Sequence, residues 1–281
     1  MKRPIVDSHT HFINPDMFKY WWMPYCPTLN KQFNPQGLSE ALGDLDLEKI
    51  VFVQADVAPE DAMQEVQWVA SFAKNDPRIQ AIVAFVPLND PQTAKVQLEK
   101  LAQMPLVKGV RQPFQLEDAG FCLQPQLIEV IQTLPSYGLS LDICVYHHQL
   151  ADVIQLAKKC PNVNIVLDHL GKPDAKTPEF SPWDNDIAEL ALCENVMCKI
   201  SGLVTEADIE SWSKEALKPY IDCVVNAFGV ERIMFGGDWP ISLLATTYQA
   251  WVNTVDWATE SLSHDDKDKL FYKNASRFYR I

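Results

Sequence analysis

Eight short apolar runs, rich in β-branched residues and spread along the whole chain, constrain the fold more than any other feature of the sequence. They lie near residues 5 (PIVDSH), 52 (KIVFVQ), 83 (QAIVAFV), 109 (VKGVR), 143 (LDICV), 166 (NIVLDH), 198 (VMCKIS) and 235 (RIMFGG). Each is a few residues long and bounded by turn or cap residues, as strands are. Several lack the polar–apolar alternation of a half-exposed strand, which predicts parallel strands covered on both faces.

Helical patterns fill most of the gaps. Met63, Val66, Val69, Ala70 and Ala73 recur at three- and four-residue steps, as do Leu150, Val153, Ile154 and Ala157. Others fall near 91–103, 124–135, 183–193, 206–228 and 245–261, and a last helix is expected to start at Ser263, with Asp266 completing an approximate capping box. No low-complexity linker or internal repeat interrupts the order, so residues 1–281 read as a single domain. Strand and helix alternating about eight times predict an α/β fold of the (β/α)₈, or TIM barrel, type. A doubly wound sheet would want a Gly-rich turn after its first strand, and HTHFINP holds no glycine there.

Composition narrows the function. With 24 Lys plus Arg against 37 Asp plus Glu, the net charge is −13. A surface that acidic repels phosphate backbones and anionic lipid, so neither nucleic acid nor membrane is expected as a partner. The opening MKRPIVDSHTH lacks the apolar stretch of about 7–15 residues that a secretory signal needs. The seven cysteines are odd in number, form no C-x-x-C pair and sit partly inside apolar runs. They read as reduced and buried, in a cytoplasmic protein with a small-molecule substrate. Homo-oligomerisation is compatible with all of this and is left open.

In such a barrel the site is built at the C-terminal ends of the strands. The first run ends in His9 and His11, the fourth in Arg111 and the sixth in His169. The fifth leads into Tyr146, His147 and His148, the seventh passes Lys199 to Ser201, and the eighth ends in Asp238. Five of the six histidines therefore fall at one end of the barrel. His9 and His11 stand one residue apart, so on an extended strand both rings point to the same side. His9, His11 and Asp238 would supply three ligands for one divalent ion such as zinc, with a position left open. Alternatively, the histidines are donors to a carbonyl oxygen and Asp238 is a base for water.

Five motifs occur in order at these strand ends: DSHTH, KGVRQ, H-x-Q-L (from His147), LDHLGKP and GGDWP. In that combination the chain resembles the amidohydrolase superfamily, and within it the lactonase-like branch that includes sugar-acid lactonases of the L-fucono and L-rhamnono type. The likeness extends to the terminal NASRFYRI. The resemblance implies a hydrolase that opens the ester ring of an aldonolactone with activated water. It matches His9 and His11 to the family's strand-one pair, His169 to its strand-six histidine and Asp238 to its strand-eight acid. Arg111 matches its strand-four arginine and His147 its histidine after strand five, and these two are expected to contact substrate. Binuclear members carry a carboxylated lysine or a glutamate where Arg111 stands, so a two-metal site is not expected. The lactonase branch works with one metal or with none, so no cofactor is obligatory.

On this reading Asp238 is the base, His169 orients water or carbonyl, and His9 with His11 polarise the carbonyl. Arg111 would anchor a substrate oxygen through its planar fork, while Trp22 and Trp239 offer flat faces to a sugar. Lys172 reads as a solvated loop charge, and Gly236 and Gly237 as room for a ligand to approach. The alternatives are a metal-dependent decarboxylase of a related branch and a non-catalytic sugar-binding barrel.

Overall fold

The computed structural model describes residues 3–177 and 180–281. All eight expected strands form: β1 (Pro4–Thr10), β2 (Asp46–Val53), β3 (Ile79–Phe85), β4 (Val107–Arg111), β5 (Ser140–Ile143), β6 (Ile165–Leu167), β7 (Val196–Ile200) and β8 (Ile233–Phe235). They make one parallel sheet in the order β1 to β8. Its two edges meet through a parallel bridge between Thr10 and Trp239. There the Asp238 N–H donates to the His9 carbonyl and the His11 N–H to the Trp239 carbonyl, each at 2.7 Å. The seam that closes the barrel therefore also fixes Asp238 against the two strand-one histidines.

The unbroken apolar character of the strands has a direct cause. Val6, Val51, Val53, Ala81, Val83, Val166, Met197 and Met234 fill the barrel interior, where small and branched side chains fit. Their neighbours along the strands, such as Ile50, Phe52, Ile82, Ile165, Cys198 and Phe235, face the helices. Both faces are dry, so apolar residues dominate each of them.

The surrounding helices are α1 (Pro35–Ala41), α2 (Ala62–Phe72), α3 (Pro91–Leu101), α4 (Pro125–Thr133), α5 (Leu150–Lys159), α6 (Trp183–Leu190), α7 (Leu203–Glu206), α8 (Lys214–Phe228), α9 (Tyr248–Ala258), α10 (His264–Asp268) and α11 (Asn274–Tyr279). Ser263 caps α10 as expected, accepting from the Asp266 N–H. The span 206–228 is not one helix. Asp208 accepts from the Glu210 N–H and the Ser211 hydroxyl, and Ser213 then caps a fresh start at α8. α1 was not expected, although Asn34 before Pro35 is a strong start signal: the Asn34 side chain accepts from the Gly37 N–H. α11 closes the bottom of the barrel and sends Tyr279 up into the interior, where its hydroxyl donates to Asp142 at 2.7 Å. No helix among the described residues is long and apolar enough to cross a membrane, and the seven cysteines are free thiols.

Candidate active site

A cavity of about 200 Å³ opens at the C-terminal ends of the strands, with His11, His169, Asp238 and Arg111 among its walls. His9 lies beneath these, fully buried on β1. Its Nε2 is 3.2 Å from the His11 Nε2, which confirms that the two rings share a side. The His11 Nδ1 donates to the Val53 carbonyl at 2.7 Å. Its other ring nitrogen, Nε2, lies 3.4 Å from the Asp238 Oδ1. The His9 Nε2 stands 3.8 Å from the same oxygen.

Asp238 follows β8 in the left-handed conformation, at φ 51°. Burial pushes its carboxyl upward, but His169 and His11 outweigh that and hold it below its ordinary value. Asp238 is therefore an anion at neutral pH. His169 is moved the other way: burial lowers it to about 4 despite the nearby Asp238 and Asp168. It is a neutral ring whose Nδ1 is 2.9 Å from the Ser201 hydroxyl. Burial also holds His9 well below its usual value, with Lys199 adding to the effect and Asp168 opposing it.

The backbone after β6 makes this arrangement. His169, Leu170 and Lys172 all have positive φ, between 47° and 55°, and Gly171 between them has 70°. A left-handed turn costs an L-residue about 1–2 kcal/mol, so three together mark a site where aim outweighs comfort. Opposite, Gly202 follows β7 at φ 61°, and a Cβ there would sit 2.4 Å from the His169 Nδ1 and 3.0 Å from the Asp238 Oδ2. Gly202→Ala is accordingly expected to displace one or both groups and lower kcat/KM by about 100-fold. Steady-state kinetics beside a thermal melt would check this, and unchanged kinetics would show that the contact is not critical.

Beneath the site lies a buried ion network that the sequence reading did not identify. Lys199, fully buried, contacts Asp142 at 2.6 Å, Asp168 at 3.0 Å and the His9 Nδ1 at 3.2 Å. Asp168 also meets the His9 Nδ1 at 3.2 Å and the Arg111 Nη1 at 3.0 Å. These cations and His9 hold Asp168 well below its ordinary value against the pull of burial. Its signals were present in the sequence: a lysine inside the apolar run VMCKI, and an aspartate directly before His169.

Several expectations change. Arg111 does line the cavity, but its fork is given to Asp168 and to the Gln54 carbonyl, at 3.0 and 2.7 Å. Trp239 is not a sugar platform: it is 2% exposed and packs edge-on against Phe12 and Phe33. His147 does not line the cavity either, since its Nδ1 is turned to the Lys172 carbonyl at 3.1 Å. Gly236 and Gly237 admit the protein rather than a ligand. A Cβ on Gly236 would meet Ser201 and His9, and one on Gly237 would meet Tyr248 and Asp7. Trp22 does line the cavity, with its indole N–H donating to the Ala55 carbonyl. Trp21 beside it bonds Asp56, another cavity residue. Lys172, read from sequence as a solvated charge, faces the cavity and pairs with Glu206.

The donor set fits one metal ion. Ligand atoms of His9, His11 and Asp238 all lie within 4.8 Å of one another. The Val53 bond at Nδ1 fixes the His11 ring with its Nε2 toward the carboxylate, the second-sphere arrangement that metal-binding histidines use. A second group, His9 with Asp168 and His169, is as compact. Its Asp168 is already held by Arg111 and Lys199, and the His169 Nδ1 by Ser201.

Comparison with known proteins agrees with this geometry. The model of the family described as amidohydrolase matches residues 6–281. An L-fucono-1,5-lactonase from Burkholderia ambifaria is 30% identical over 282 residues, covering 98% of this chain and 95% of that protein. An L-rhamnono-gamma-lactonase from Scheffersomyces stipitis is 24% identical, over 72% of this chain and 69% of its own. Among solved structures, an amidohydrolase from Burkholderia multivorans with bound zinc superposes with a TM-score of 0.88, at 29% identity and full coverage of both chains. Matched along nearly its whole length and built as a (β/α)₈ barrel with histidines and an aspartate at its mouth, the chain belongs to the amidohydrolase family.

Proposed function

We propose that the protein hydrolyses the ester ring of a neutral sugar-acid lactone. The observation that carries this reading is an ionised aspartate in the wall of a small cavity, beside His11 and His169 and with His9 buried beneath. Asp238 takes the proton of the attacking water. His169, oriented by Ser201, positions that water or the carbonyl, and His11, backed by His9 at 3.2 Å, faces the oxygen on which charge develops. When bound, one divalent ion held by His9, His11 and Asp238 would supply further polarisation of that oxygen.

The cavity suits a single sugar ring, being smaller than the usual range for drug-sized ligands. Among the described residues, both cations on its wall are already paired with carboxylates, Arg111 with Asp168 and Lys172 with Glu206. That favours a neutral, hydroxylated lactone over a dicarboxylate. The lactonase names of the relatives favour it over a decarboxylase, and the protein's net charge of −13 and free thiols support a cytoplasmic enzyme without nucleic-acid or membrane partners.

A pH-indicator screen over 1,4- and 1,5-aldonolactones tests the reading. Proton release well above background on members of the panel is expected, and background rates on all of them would refute it. The pH dependence follows from the site. kcat/KM should hold through neutrality and fall as pH drops toward about 4, where His169 takes a proton. Between that value and the ordinary imidazole value of 6.5 the unfolded chain binds a proton that the folded one does not. The His169 contribution to stability therefore rises with pH across this window and is lost on the acid side.

A further inference from the structure

Opening a lactone releases an alkoxide, a much stronger base than the carboxylate formed with it. Asp238 removes a proton on the water side, so a second group has to deliver one to the departing oxygen. Two side chains that carry a positive charge at neutral pH line the cavity among the described residues, Arg111 and Lys172. A guanidinium does not release its proton in proteins, and that of Arg111 is bound to Asp168 and Gln54.

Lys172 differs in that an ammonium can release a proton, and pairing with Glu206 through one of its three N–H groups leaves others to meet a ligand. It ends the left-handed turn that begins at His169, with its own φ at 47°, so one strained segment sends both side chains to the cavity. Its carbonyl receives the His147 N–H, and its own N–H donates to the His169 carbonyl at 2.8 Å, which locks the backbone. The ammonium is 3.5 Å from a Glu206 carboxylate oxygen and 5.3 Å from the centre of the Tyr146 ring, and only 16% of the side chain is exposed. Burial works against its charge, and Cys144, Glu206 and Asp238 outweigh that, so it stays protonated.

We propose that Lys172 is the general acid of this reaction, with Glu206 as the residue that positions it; the inference rests on the lactonase reading above. The water oxygen bonds to the carbonyl carbon while its proton passes to Asp238. The ring C–O bond then breaks, its electron pair stays on the ring oxygen, and an N–H proton of Lys172 moves to that oxygen. Solvent takes the proton from Asp238 and returns one to Lys172, leaving a hydroxy acid and no need of a further reactant.

The test compares Lys172→Met and Lys172→Arg with the native enzyme on three lactones. These are the best aldonolactone, the unsubstituted δ-valerolactone, and dihydrocoumarin, whose phenolate leaves without help. A general acid predicts that kcat/KM on both alkyl lactones falls about 100-fold or more relative to dihydrocoumarin, and that Arg does not rescue it. Loss confined to the aldonolactone would mean that Lys172 only binds hydroxyls. Equal loss on all three would mean that it serves structure or the shared carbonyl step. No loss at all would remove it from the reaction, and each of these three results overturns the proposal. A native enzyme inactive on every lactone is a different failure, that of the lactonase reading itself, and it takes the inference with it. Dihydrocoumarin turnover by the variants also reports that they are folded.

Discussion

Asp238→Asn is expected to lower kcat on an aldonolactone by at least about 10³-fold while leaving KM within a few-fold. The replacement is nearly isosteric, and asparagine accepts the left-handed backbone that Asp238 adopts at φ 51°. The bonds that place residue 238 are main-chain ones, from its N–H to the His9 carbonyl and from the Ser242 N–H to its carbonyl. They survive the change, so the fold and the seam of the barrel should persist. What disappears is the ionised carboxylate 3.4 Å from His11, the one group in the cavity wall that His169 and His11 hold in its basic form. An amide cannot take a proton from water at neutral pH. Initial rates from a pH-indicator assay, beside a thermal melt, would show the effect, and a variant within tenfold of the native kcat would remove Asp238 as the base.

The second large effect concerns the network below the site. Lys199→Met should destabilise the fold by about 3–5 kcal/mol, because it strips the cation from between two buried carboxylates. Methionine fills much of the same space, so the loss would come from charge rather than from a cavity. Asp142 would keep Tyr279, and Asp168 would keep Arg111, but each would lose its contact with the ammonium. The His9 ring would lose a partner at Nδ1 as well, which couples stability to activity. Urea unfolding followed by circular dichroism measures the shift. A change below about 1 kcal/mol would show that the network is balanced without Lys199.

The barrel was legible because eight strands buried on both faces leave eight apolar runs, and nothing else in the chain competes with that signal. The strand-end histidines and Asp238 were legible for a related reason, since polar residues ending an apolar strand have only the barrel mouth to face. Direction within a turn was not. Trp239 is adjacent to Asp238 in sequence, yet its side chain goes to Phe12 and Phe33 on the other side of the wall. His147 is turned aside by a backbone carbonyl that belongs to Lys172. The same left-handed turn that sends Lys172 inward rests on successive positive φ values in non-glycine residues, which no local pattern announces. Arg111 was placed correctly at its strand end, but its partner Asp168 comes from 57 residues away, and pairing over that distance is a property of the closed barrel.

On the proposed function, water activated at Asp238 attacks the carbonyl carbon of a lactone. Hydrolysis of the best aldonolactone in ¹⁸O-enriched water, under single-turnover conditions and read by mass spectrometry, tests it most directly. One labelled oxygen in the product carboxylate, and none in the hydroxyl released from the ring, is the predicted result. Label in that hydroxyl, or no enzyme-dependent turnover above the spontaneous rate, would contradict it.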